Sequence, residues 1–160
     1  MRPLHPPHIR GSSFRDVDER VLTEDGQPPL YNLFCFPKYE GYLEHRDQRL
    51  AIMGLFFERD VELNKPFKVG YMNQRRTTTL LEEALRGGYF EEAERLLKNG
   101  ADIDYPSNPT PLLIRFLFLE NKDLVAQALE LLLRYDANPD VKDEYENTPL
   151  YVVCQNVRVK

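Results

Sequence analysis

A chain of 160 residues, 42% of them hydrophobic, is long enough for one domain with a sizeable core. Its net charge of −5 and pI near 5.3 disfavour a protein whose main business is a general grip on nucleic-acid backbones. Two distant cysteines, Cys35 and Cys154, exclude a disulfide scaffold and read as buried, inert thiols, and no apolar run approaches the roughly 20 residues of a membrane span, so a cytoplasmic or nuclear protein is expected.

Residues 1–22 carry three prolines and a Gly-Ser-Ser run with few large apolar side chains, and are expected to form a flexible arm. RPLHPP within it has the pattern of a polyproline II ligand, and His5 and His8 lack the further ligands that a tetrahedral metal shell needs. From Thr23 a turn signal feeds the apolar run Leu30 to Phe36, which predicts a short helix stopped by Pro37. His45 to Arg59 follows, with Leu50, Ile52, Met53, Leu55, Phe56 and Phe57 predicting a well-buried helix. Residues 65–78 have no helical period and predict an extended loop or hairpin.

The segment from Thr79 to Asp104 is the most regular in the chain. Leu80, Leu81, Ala84 and Leu85 share one helical face, and Gly87 and Gly88 supply the positive φ of a C-cap and reversal. A second helix then runs from an acidic start at Glu91, Glu92 and Glu94 to a basic end at Arg95 and Lys98, with Ala93, Leu96 and Leu97 inward and Gly100 as its cap. The carboxylates Glu82, Glu83, Glu91, Glu92 and Glu94 read as a solvated face. Beyond a proline-rich turn, the apolar stretches Leu112–Leu119 and Leu124–Leu133 predict another helical pair, and Tyr151–Val159 begins a further first helix.

These segments repeat. Asn99-Gly-Ala-Asp-Ile-Asp104 recurs as Tyr135-Asp-Ala-Asn-Pro-Asp140 and faintly as Arg59-Asp-Val-Glu-Leu-Asn64, while Thr110-Pro-Leu112 recurs as Thr148-Pro-Leu150. The pattern resembles the ankyrin repeat, with its Thr-Pro-Leu opening and its Leu-Leu-Leu-x-x-Gly-Ala-Asp exit. That resemblance implies an all-α repeat fold, an ankyrin-type solenoid of stacked helix-turn-helix units joined by hairpin fingers. It divides the chain into units at about 23–64, 65–104, 105–140 and a partial 141–160. The unit from Thr79 to Asp104 spans 26 residues, that from Thr110 to Asp140 spans 31 and that from Pro28 to Asn64 spans 37, with the last excess placed in KYEGYLEH. Arg115 stands where the family has a small buried alanine, so either its helix is rotated or it reaches an acidic partner. The last unit shows a first helix without a second, which leads to the expectation that the chain belongs to a longer array or that a partner covers its C-terminal face.

No Gly-rich phosphate loop, His-x-x-x-His or Cys-x-x-Cys pattern is present, and His45 stands on a charged helix start. Neither catalysis nor a metal or other cofactor is therefore expected. Resemblance to ankyrin domains implies protein binding through fingers and concave face. The long finger offers Phe67, Tyr71, Met72, Arg75 and Arg76, which mix aromatic anchors with guanidinium forks. Tyr105 and Tyr145 fall at later finger tips, and Arg86 projects from a first helix. The opposing reading is that Phe67 and Met72 pin the finger to the body. The function expected is an adapter or scaffold that docks a partner of acidic character opposite Arg75 and Arg76. The alternatives are nucleic-acid binding through Lys65, Lys68, Arg75 and Arg76, and a regulatory segment of a larger enzyme.

Overall fold

The computed structural model describes residues 27–35, 46–59, 61–70, 75–105 and 109–157. The expected N-terminal arm, the three histidines and the insertion placed in KYEGYLEH lie outside these residues. A 3-10 turn at Pro29–Tyr31 leads into α1 (Asn32–Cys35), and α2 spans Arg46–Phe57. The hairpin strands β1 (Phe67–Val69) and β2 (Arg76–Thr78) precede α3 (Leu80–Arg86) and α4 (Phe90–Lys98). Next come α5 (Leu112–Leu117), α6 (Lys122–Arg134) and α7 (Pro149–Val157).

Local chemistry explains the boundaries. Thr79 is extended and its hydroxyl accepts from the Glu82 N–H at 3.3 Å, which satisfies one of the orphan donors at the start of α3. At Thr148 the same hydroxyl cap accepts from Tyr151 N at 3.4 Å, and Pro149 takes the first helical position, where its missing N–H is no loss. The third threonine start, Thr110-Pro111, behaves differently: α5 is capped by Pro111 itself, without a side-chain bond. Between α3 and α4 only one of the two glycines takes positive φ. Gly88 sits at 70°, whereas Gly87 keeps a helical φ of −75°.

The two helical pairs end alike. Ala101 N donates to Leu96 O at 2.9 Å and Gly100 N to Leu97 O at 3.1 Å; Ala137 N donates to Leu132 O at 3.0 Å and Asp136 N to Leu133 O at 3.2 Å. This is the closing pattern of a left-handed C-cap, and Gly100 (φ 92°) and Asp136 (φ 61°) occupy the same left-handed place. Two residues later Asp102 Oδ1 accepts from Asp104 N, and Asn138 Oδ1 accepts from Asp140 N, both at 2.9 Å. The recurrence seen in the sequence is thus a recurrence of backbone hydrogen bonds. Asn64 ties one exit to the next, donating to Gly100 O at 3.2 Å and accepting from Asp102 N at 2.7 Å.

Helix α3 packs on α4 and α5 on α6, while α6 also crosses α4 and α3, and α7 lies on α5. One apolar cluster runs through Leu30, Met53, Phe67, Leu81, Leu96, Phe116 and Leu132. Burial of each such side chain contributes roughly 1.5–3 kcal/mol. Two expectations need correction here. Helix α2 is not buried throughout: Leu50 and Met53 face inward, but Ile52 and Leu55 are exposed, because α4 holds it along one side. There Arg49 donates through Nε to Glu92 Oε1 at 3.0 Å, Arg95 Nη1 donates to Leu50 O at 3.0 Å, and Arg46 pairs with Glu91. Cys154 is exposed rather than buried. Among the described residues no helix is long and apolar enough to cross a membrane.

Candidate interaction surface

The long connection is a true hairpin. Phe67 pairs with Thr78, Lys68 with Thr77 and Val69 with Arg76 in antiparallel register. Because side chains alternate along a strand and cross-strand partners share a face, this register sends Phe67, Val69 and Thr78 inward and turns Lys68 outward with Thr77, while Arg76, paired with Val69 on the inward face, is nevertheless exposed. Phe67 is therefore not an exposed anchor. It is buried, with its ring centroid 4.9 Å from that of Tyr31, and it pins the hairpin to the body. Tyr71 and Met72 lie outside the described residues.

Arg76 leaves β2 and meets the start of α3. Its Nη1 lies 2.5 Å from Glu83 Oε1, and Nη2 donates to Glu83 Oε2 at 3.0 Å. The Thr78 hydroxyl donates to the same Glu83 Oε1 at 2.7 Å, so one carboxylate clamps strand to helix. Arg75, its neighbour in the chain, is exposed. Arg86 is less free than expected. Its Nε donates to Glu82 Oε1 at 2.9 Å, and its guanidinium stacks over the Phe116 ring at 5.6 Å from the centroid.

Glu82 is the centre of this surface. Its side chain is 1% exposed, and it receives Arg86 from its own helix and Arg115 from α5, whose Nη1 stands 2.8 Å from Oε2. Arg76 Nη1 is 3.9 Å from Oε1. The Arg115 contact is an ion pair by distance without hydrogen-bond alignment: Glu82 Oε2 and Arg115 Nε are both buried without a hydrogen-bond partner. Burial lowers the Arg115 pKa from its ordinary value; Glu82 opposes that shift, and the neighbouring charges of Arg86 and Arg76 add to it. Of the two explanations for an arginine at this place, an acidic partner is the one observed.

Glu82 was expected on a solvated face, as was Glu92, and both are buried. The correction has one physical reason. Each is held by an arginine from another helical pair, Arg115 for Glu82 and Arg49 for Glu92, and a charge leaves water when its counter-ion is supplied at hydrogen-bond range. The departure of Arg115 from the repeat pattern was the sequence signal for this cluster. The identity of its acceptor was not legible, because Glu82 is 33 positions upstream.

The two remaining tyrosines differ. Tyr105 is half-buried and lines two grooves, one of about 490 Å³ with Leu63, Asn64 and Gly100, the other of about 260 Å³ with Pro111, Leu112 and Val141. Tyr145 is 75% exposed on the turn held by Asp143. Neither joins the arginine cluster. Lys65 is engaged by Glu62 at 3.5 Å, and Lys68 is exposed on β1. Among the described residues no group of three His, Cys, Asp or Glu side chains could hold a metal ion. Compared with known proteins, the chain matches no family model and no curated protein.

Proposed function

We propose that this chain is a non-catalytic interaction module of the ankyrin-repeat type, which docks an acidic protein segment across the surface formed by β2, α3 and α5. The observation that carries the reading is the balance of charge around Glu82. Arg76, Arg86 and Arg115 are gathered about two carboxylates, Glu82 and Glu83, and exposed Arg75 adjoins Arg76 in the chain, in a protein whose overall charge is −5. A local excess of guanidinium in an acidic molecule attracts and orients an anionic partner and repels other copies of the same acidic chain least at this point. Guanidinium forks beside aromatic rings are also the side chains that dominate protein-binding hot spots. The matching exits at Gly100 and Asp136, with their shared left-handed cap and Asx turn, support the ankyrin-type repeat.

The test is a labelled peptide library screened against the wild-type chain and the Arg75→Ala/Arg76→Ala variant. Enrichment of Asp- and Glu-rich sequences by the wild type, lost in the variant, is expected. Melting should move little, since Arg76 itself is 42% exposed, such pairs contribute about 0–1 kcal/mol, and Glu83 keeps its bond from the Thr78 hydroxyl. No enrichment of acidic sequences would sink the reading. Binding of a short single-stranded oligonucleotide near physiological salt, falling steeply as salt rises, would replace it with nucleic-acid recognition through Lys68 and Arg75.

A further inference from the structure

Hydrogen-bond geometry divides the cations of the arginine face into those already occupied and those that are free. The fork of Arg76 is filled by Glu83, with Nη1 2.5 Å from Oε1 and Nη2 donating to Oε2 at 3.0 Å. Arg86 and Arg115 are both engaged by Glu82, and their side chains are only 26% and 13% exposed. Arg75 and Lys68 are exposed, and among the described residues no carboxylate pairs with either. A partner carboxylate that took Arg76 from Glu83 would exchange like for like, and would strip the cation from a Glu83 side chain that is 10% exposed. An incoming anion is therefore met first by Arg75 and Lys68.

The hairpin register brings these two together. Lys68 stands opposite Thr77, and cross-strand partners share a face. Arg75 lies two residues before Thr77, so the alternation of the strand puts it on that same outer face, diagonal to Lys68. Diagonal neighbours are roughly 7–8 Å apart at the backbone, within reach of long side chains. Thr77 is half-buried between them, and its hydroxyl has no hydrogen-bond partner among the described residues, whereas that of Thr78 is held by Glu83. A guanidinium, an ammonium and a hydroxyl thus border one spot, and all three are donors. Phe67, buried against Tyr31 on the opposite face of β1, fixes the platform that carries them.

We propose that the outer face of the hairpin, at Lys68, Thr77 and Arg75, binds a phosphomonoester, carried as phosphoserine or phosphothreonine on the acidic segment. The site rests on the acidic-segment reading and names the group that anchors the segment. A phosphomonoester has about −1.5 to −2 charge at pH 7 and three acceptor oxygens, which match two free cations and three donors. A carboxylate has one charge and two oxygens, so it neutralises Arg75 or Lys68 but not both. A phosphodiester also has a single charge, and nucleic-acid strands are gripped by several cations along the backbone, whereas this face offers two in a chain of charge −5.

The experiment titrates labelled peptide pools with the full chain and reads fluorescence polarisation. The pools share degenerate, Asp-rich flanks and differ at one central position, which is threonine, glutamate or phosphothreonine. The phosphothreonine pool should bind at least about tenfold more tightly than the glutamate pool. That advantage should disappear in Arg75→Ala and in Lys68→Ala, shrink in Thr77→Val, and survive in Arg76→Ala. Circular dichroism checks that the variants are folded. Equal binding of the phosphothreonine and glutamate pools overturns the phosphate site while the acidic-segment reading stands. An advantage lost in Arg76→Ala but kept in Arg75→Ala overturns it as well. Failure of all three pools removes the acidic-segment reading and the phosphate site together. Tighter binding to phosphatidylcholine vesicles containing a phosphoinositide, or to a short single-stranded oligonucleotide, than to the phosphothreonine pool overturns the proposal in favour of a membrane or nucleic-acid phosphate.

Discussion

Glu82→Ala tests the buried charge cluster directly. Glu82 is 1% exposed and the Arg115 side chain 13%, so removing the carboxylate strands a guanidinium that water barely reaches and leaves it facing Arg86 and Arg76. Breaking a buried pair in this way costs about 3–5 kcal/mol. The lower end applies here, near 3 kcal/mol, because Arg86 is 26% exposed and turns to solvent. The helix cap survives the change, since Thr79 accepts from the Glu82 backbone rather than its side chain. Arg115→Leu should cost less, about 1 kcal/mol, because Glu82 keeps Arg86. Glu82→Ala/Arg115→Leu should fall short of the sum of the two single changes by about 2 kcal/mol, because the second change removes the guanidinium that the first strands. Urea unfolding followed by circular dichroism measures all three. A Glu82→Ala loss below about 1 kcal/mol, or additivity within about 0.5 kcal/mol, refutes the reasoning.

Gly87→Ala and Gly100→Ala should destabilise for different reasons. A Cβ at Gly87 runs into the buried Tyr89 ring, at about 1–3 kcal/mol, whereas at Gly100 it enters open space and the φ of 92° costs about 1–2 kcal/mol. Asparagine, which tolerates left-handed backbone, should therefore partly rescue position 100 and worsen position 87 in the same urea assay. Glu146 holds φ 64° at the turn before α7, so Glu146→Gly should stabilise by roughly 0.5–1 kcal/mol as read from thermal melts, even though it forfeits an exposed pair with Lys142. An unchanged or lower melting temperature would count against strain at that turn. Asp143 gives a pH signature. Burial disfavours its charged form, but donation from Asn147 N, Asn147 Nδ2 and Tyr145 N holds its carboxyl below the ordinary value of 3.8. A depressed folded pKa supplies stability that is present above 3.8 and lost as pH falls through the lower folded value. The melting difference between wild type and Asp143→Asn should accordingly vanish in acid, and a difference that grows there contradicts the assignment.

What the sequence determined by itself is local. Thr79 as a cap, the reversal at Gly88, the acidic-to-basic order of α4 and the equivalence of Gly100 with Asp136 all depend on backbone bonds and dihedrals within a few residues, so residue type and spacing suffice to place them. The exits were legible for the same reason, as the recurrence of Asn99–Asp104 in Tyr135–Asp140, and the structure adds the Asx turns at Asp102 and Asn138. The alternation of the hairpin was hidden by its length, since three-residue strands carry too few alternations to say which face is inward. The pairing of Phe67 with Thr78 made that choice and moved Phe67 from the binding surface into the core.

Tertiary structure decided the fate of the charges. Glu82, Glu83, Glu91, Glu92 and Glu94 have the same helical surroundings in sequence, yet two of them are buried. A carboxylate leaves water only where an arginine from a distant segment compensates it, and Arg49 and Arg115 arrive from 43 and 33 positions away. The exposure of Leu150 has the same origin. Leu150 is as apolar as Leu81 and Leu112, which are buried, and only its tertiary surroundings separate it from them.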